Sequence, residues 1–118
     1  MLFAHKKKAP DGRFELRKIT DENGISAAFK LAETVFMQFE APEYSEQGVE
    51  SFLSFLWGSS VKEMLENGSY VVWGCYSGAE LVGMMAMRDS EHISLAFVMG
   101  DFHRQGIGRM LYAEAKRY

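Results

Sequence analysis

His92-Ile93-Ser94-Leu95-Ala96-Phe97-Val98-Met99-Gly100-Asp101-Phe102-His103-Arg104-Gln105-Gly106-Ile107-Gly108-Arg109 changes character twice along its length. The apolar run at 92–99 predicts a buried strand. Residues 100–105 form a polar connection, and 106–118 read as a helix carrying Lys116 and Arg117 in its last turn. Glycine at 106 and 108 lets a ligand approach the backbone with no Cβ in the way. The first N–H groups of a helix have no partner within it and face outward, and the helix dipole adds partial positive charge there. That arrangement suits a phosphate or pyrophosphate, with Arg104 and Arg109 adding charge beside it. The same pattern also serves a plain strand–loop–helix connection, and two glycines alone do not choose between the readings.

Two familiar phosphate loops are excluded. A Walker loop needs a glycine five residues before Gly-Lys-Ser/Thr, whereas Gly108-Arg109 has no such glycine and is followed by Met110. A dinucleotide fingerprint needs a third glycine where Leu111 stands, within a parallel βαβ unit that this stretch does not form.

Upstream, residues 69–76 are rich in β-branched and aromatic side chains. Ser77-Gly78-Ala79-Glu80 is a hairpin turn and 81–88 pairs back. Asp89-Ser90-Glu91 then turns the chain into 92–99, which makes three strands an antiparallel meander. Before them lies helical periodicity. Ile25, Ala28, Phe29, Ala32, Val35, Phe36 and Phe39 recur at three- and four-residue steps and predict one apolar stripe on a helix at 21–40. Thr20 and Asp21 are its cap candidates, and Ala41-Pro42 ends it. A second helix spans 45–57, with Val49, Phe52, Leu53 and Leu56 on one face. A short third runs 61–66 before Asn67-Gly68. A strand at 13–20 carries Phe14, Leu16 and Ile19. Residues 1–12 read as a polar leader with a Pro10-Asp11-Gly12 turn, in which Lys6-Lys7-Lys8 and His5 are solvated. The order β–α–α–α–β–β–β–α is a mixed α/β (α+β) layer fold in a single domain at 13–118.

Composition narrows the function classes. The chain has 118 residues, 47% of them hydrophobic, which is enough for one core. Thirteen Lys and Arg against sixteen Asp and Glu leave a charge of −3, the wrong sign for a protein that lives on a phosphate backbone. One cysteine forms no internal disulfide, which fits a reducing, cytoplasmic setting. No apolar run is long enough for a membrane helix, and the leader places charge after its apolar residues, the reverse of a secretory signal. Neither nucleic acid nor membrane is expected as a partner, and no His/Cys/Asp/Glu spacing suggests a metal site.

The segment His103-Arg104-Gln105-Gly106-Ile107-Gly108, after the strand Leu95-Ala96-Phe97-Val98, resembles motif A of the GCN5-related N-acetyltransferases (GNAT). In that motif Arg/Gln-x-x-Gly-x-Gly/Ala opens a helix behind a hydrophobic strand. The element order and the hairpin Gly74-Cys75-Tyr76-Ser77-Gly78-Ala79-Glu80-Leu81-Val82-Gly83 are similar to the family too, so the resemblance covers 13–118.

The resemblance implies a GNAT-like acyl-CoA N-acyltransferase fold, a mostly antiparallel sheet flanked by helices. It also implies transfer of an acetyl group from acetyl-CoA, as cosubstrate, to an amine of a small molecule or protein. Backbone groups of Ala96 and Val98 would bind the thioester and pantetheine arm as an added strand. The amides of Arg104, Gln105, Gly106, Gly108 and Arg109 would cradle the pyrophosphate. The resemblance places His103 in this coenzyme-binding set too, at the position where the family usually has Arg or Gln, and Gly100 stands where proline is common, which leaves that loop fewer constraints. Family members usually continue with a further strand, a further helix that often carries an acidic tyrosine, and one or two more strands. The sequence runs to Tyr118, where the resemblance puts the end of the third family helix, so the sheet is expected to be incomplete at its C-terminus. The exposed edge of the 92–99 strand would then invite a second copy. The alternative function is an inactive CoA-binding or oligomerisation module completed by a partner chain.

No catalytic residue is legible. Glu40, Glu43 and Tyr44, between the first two helices, read as solvated charge and a half-buried ring. Glu91 and His92 start a strand away from the thioester. Cys75 reads as a small core residue, Met84, Met85 and Met87 as core packing, and Trp57 and Trp73 as core or interface fillers.

Overall fold

A computed structural model of the chain describes residues 7–8, 13–89 and 91–118. Among these residues five strands, β1 Lys7–Lys8, β2 Glu15–Ile19, β3 Tyr70–Ser77, β4 Glu80–Arg88 and β5 His92–Val98, lie side by side in chain order. Every neighbouring pair is antiparallel. The turn at 78–79 and the short sequence between Arg88 and His92 force this for β3 to β5, because a two- or three-residue connection can only reverse the chain. Two residues of the expected leader, Lys7–Lys8, pair with Glu15 and Leu16. The Pro10-Asp11-Gly12 turn, Lys6 and His5 lie outside the described residues.

Alternation along the strands builds two cores. Phe14 and Leu16 share one parity and enter a core with Trp73, Cys75, Val82, Met85 and Met87. Ile19 has the other parity and enters the opposite core with Val72, Met84 and Ala86. Strand β4 is covered on both faces, so Val82 through Met87 are all buried. The methionines therefore divide between the two layers as packing.

Three helices cover the first core: α1 Glu22–Val35, α2 Glu46–Leu56 and α3 Ser59–Asn67. The Asp21 carboxylate accepts from Gly24 N–H at 2.9 Å, and Ser45 Oγ accepts from Gly48 N–H at 3.0 Å, capping α1 and α2. The α1 stripe is buried from Ala28 to Phe36 and includes Leu31, which the periodicity did not single out. It fails at Phe39, which is 45% exposed. After Val35 the helix widens into a π turn at Phe36–Glu40, closed by the Ala41 N–H on the Phe36 carbonyl, so later residues fall behind the α-helical phase. A 3-10 turn, Ala41–Glu43, follows and leads to α2.

The last helix, α4 Ile107–Arg117, packs Ile107 and Leu111 on the second core. It covers only part of β5. That strand is buried at Leu95 and Phe97 but exposed at His92, Ile93 and Ala96, which corrects the expectation of a buried strand. The reason is its position at the sheet edge. Among the described residues no helix is long and apolar enough to cross a membrane.

Candidate functional site

Strand β5 ends where α4 begins, and the backbone between them is tightly folded. Met99 N–H donates to the Val82 carbonyl at 2.9 Å, the last rung toward β4. In an antiparallel ladder alternate residues face opposite neighbours, so the N–H and C=O of Val98 and Ala96 face away from β4, along the open edge. A 3-10 turn, Gly100–Phe102, follows, and Phe102 sets its ring edge-on to Phe14 at 6.2 Å. A Cβ at Gly100 would stand 2.8 Å from Phe39 Cζ, so this glycine admits a close ring instead of loosening the loop.

Arg104 and Gly106 both have positive φ, 63° and 90°, and swing the chain into α4. Gly106 is the cap residue of that helix, and Met110 N–H bonds to its carbonyl at 3.0 Å. No side chain caps this end, in contrast to α1 and α2. Among the described residues, a Cβ built on Gly106 or Gly108 would meet no atom within 4 Å, so the first turn opens on space that they leave free. Backbone donors under such a gap accept an anion with little rearrangement.

These parts share one cleft of about 750 Å³. Its lining includes Ala96, Val98, His103, Arg104, Gly106, Gly108 and Arg109, seven of the eight residues expected from the sequence. Gln105 is absent from it. Its amide donates to the Asp101 carbonyl at 3.2 Å and its oxygen accepts from Arg13 at 3.3 Å, so the side chain braces the loop from behind. The His103 imidazole reaches back to Val98, with Nε2 at 2.7 Å from the carbonyl oxygen.

The opposite wall was not legible in the sequence. Val35, at the end of α1, lines the cleft with Phe39 and Glu40, which belong to the π turn that follows it. An α-helical stripe counted through Phe39 points to the core, and no local pattern marks the change of phase. Among the described residues of this lining, Glu40 is the carboxylate, and Arg104 and Arg109 are its arginines. Tyr44 instead flanks a shallow groove with Met37, Pro42 and Val49.

Other candidates stay apart from the cleft. His92 is exposed at the start of β5. Trp57 donates to Glu33 Oε1 at 2.8 Å on the surface, while Trp73 fills the second core against Tyr118. Tyr70, buried, donates to Ser94 Oγ at 2.6 Å, and burial raises its pKa. Among the described residues no group of three metal-ligating side chains occurs.

Cys75 is fully buried, and burial pushes its thiol from 9.0 to about 11. The nucleophile is the thiolate, so Cys75 is expected to resist a thiol reagent at pH 8 until denaturant is added. Stability is also expected to fall as pH rises from about 9 through 11, because only the unfolded chain ionises this group readily there. A thiol titration with and without urea checks the first expectation; rapid reaction of the folded chain would contradict it.

A family model described as an acetyltransferase (GNAT) domain matches residues 40–118. The fold is similar to the PaiA N-acetyltransferase of Thermoplasma acidophilum, solved in complex with coenzyme A. Identity to it is 17% and the TM-score 0.69, over 88% of this chain and 70% of that one. A GCN5-related N-acetyltransferase from Rhodopseudomonas palustris is similar at 18% identity and a TM-score of 0.70, over 86% and 62% of the two chains. Another from Ralstonia eutropha matches at 15% and 0.63, over 88% and 74%. The chain thus spans less than two thirds of the Rhodopseudomonas protein. No curated protein matches the sequence.

Proposed function

The chain belongs to the GNAT acetyltransferase family, and from that premise we propose that it transfers the acetyl group of acetyl-CoA to an amine of a small molecule or protein. The observation that carries this reading is the juxtaposition at β5 and α4. An open strand edge at Ala96 and Val98 leads directly to an uncapped helix turn with free space above Gly106 and Gly108. The edge suits the amide-rich pantetheine arm, and the turn, with Arg104 and Arg109, suits the pyrophosphate. Likeness to a structure solved with coenzyme A supports the same assignment.

The thioester supplies an activated acyl carbon. The amine nitrogen bonds to that carbon, the carbon–sulfur bond breaks, and the thiolate leaves. The protein's part is positioning, together with removal of the proton the amine must lose. Glu40 takes that proton in this reading, being the carboxylate of the lining. A reducing, cytoplasmic setting is in keeping with a single buried cysteine. The open edge of β5 is also where a second copy would pair.

The test is calorimetric titration of acetyl-CoA into the chain, with light scattering on the same sample, followed by thiol release over a panel of amines. Micromolar binding and amine-dependent release are expected. Glu40→Gln is expected to keep acetyl-CoA affinity within about twofold and to lose 10²–10⁴-fold in turnover, the usual worth of a general base. Absence of binding would overturn the reading.

A further inference from the structure

The imidazole of His103 turns back on the strand it follows. Its Nε2 lies 2.7 Å from the Val98 carbonyl oxygen, five residues earlier. A carbonyl only accepts, so Nε2 carries the proton of this bond. Phe39 holds the ring from the other wall, with centroids 5.0 Å apart and planes tilted by 43°, and Phe39 in turn packs on Gly100. The Val98 carbonyl faces away from β4, so the imidazole stands beside the open edge of β5. An added strand would lie there, about 4.8 Å from the existing one.

We propose that His103 sets the affinity for the acyl donor. In the ligand-free chain its imidazole satisfies the Val98 carbonyl in place of an amide N–H of the pantetheine arm, and it leaves that carbonyl when the arm binds. The inference rests on the acyl-CoA reading above and adds a residue-level consequence. Docking of the arm exchanges one hydrogen bond at Val98 for another instead of gaining one. The phosphate end relies on the α4 amides, Arg104 and Arg109, and is indifferent to that exchange. An arginine at this position would have no such effect by charge alone, since the device is the short bond to the strand.

The experiment compares coenzyme A with adenosine 3′,5′-bisphosphate, which has the phosphates at one end and lacks the arm. Both are titrated into the wild type, His103→Ala and His103→Gln. The alanine variant is expected to bind coenzyme A about three- to tenfold more tightly, the worth of one hydrogen bond no longer surrendered. Its affinity for the bisphosphate is expected to stay within about twofold. Glutamine, whose amide can again donate to Val98, is expected to return coenzyme A affinity toward the wild-type value. Wild-type binding of coenzyme A with unchanged or weaker binding by the alanine variant would overturn the role of His103 alone. Failure of the wild type to bind either ligand would overturn the acyl-CoA reading together with it. The ¹⁵N imidazole spectrum of the ligand-free chain gives an independent readout, expected to show the Nε2–H tautomer; an Nδ1–H tautomer would remove the bond on which the proposal stands.

Discussion

Gly106→Asp is expected to lower the affinity for acetyl-CoA by about a hundredfold while leaving the chain folded. Two effects add. The residue sits at φ 90°, a conformation that costs a side-chain-bearing residue roughly 1–2 kcal/mol. Its carboxylate would enter the free space above the first turn of α4 and bring negative charge to where the pyrophosphate is expected. Aspartate usually stabilises a helix start, but it does so from an extended backbone, which the positive φ denies it here. Gly106→Ala separates the two effects, since it carries the strain without the charge. It is expected to cost about 1 kcal/mol in urea unfolding and to lose far less affinity. A folded Gly106→Asp chain with undiminished affinity would remove the phosphate assignment.

The largest stability loss is expected at Phe36. It is 1% exposed, stacks on Phe52 at 4.0 Å and 15°, and meets Tyr44 edge-on at 5.1 Å. It also begins the π turn that carries Phe39 and Glu40 to the cleft. Phe36→Ala is expected to destabilise the chain by about 3–5 kcal/mol, the usual cost of emptying a buried aromatic site. Against a typical total of about 5–15 kcal/mol, that takes a small domain close to its unfolding threshold. Phe39→Ala, at a half-exposed position three residues on, is expected to cost under about 1 kcal/mol. Urea midpoints of the two variants check the contrast. Equal losses would mean that the π turn, and not the Phe36 ring, anchors this corner.

The motif at 103–108 is a local device. Its amides and glycines act through backbone conformation over a few residues, and this is why a strand–loop–helix connection opened by two glycines could be read from spacing, while the coenzyme-binding assignment came from the family resemblance. The Asp21 cap was legible for the same reason, since a cap bonds three residues ahead; Ser45 caps α2 in the same way. Strand parity told which of Phe14, Leu16 and Ile19 share a face. It did not tell which strand lies at an edge, so β5 read as buried when only Leu95 and Phe97 are.

The amino-acid sequence by itself determined the order of elements from β2 onward, the antiparallel meander, the cap of α1 and the glycine-opened turn of α4. Each depends on sterics and hydrogen bonds among near neighbours, which residue type and spacing control. The tertiary structure alone decided the rest. It brings Phe39 and Glu40 across from the α1 side to face residues sixty places later, and it ties Gln105 to Arg13, ninety-two residues away. It also lays the His103 imidazole on the edge of β5. These approaches depend on how the helices settle on the two faces of the sheet, an outcome of packing volume that no local pattern encodes.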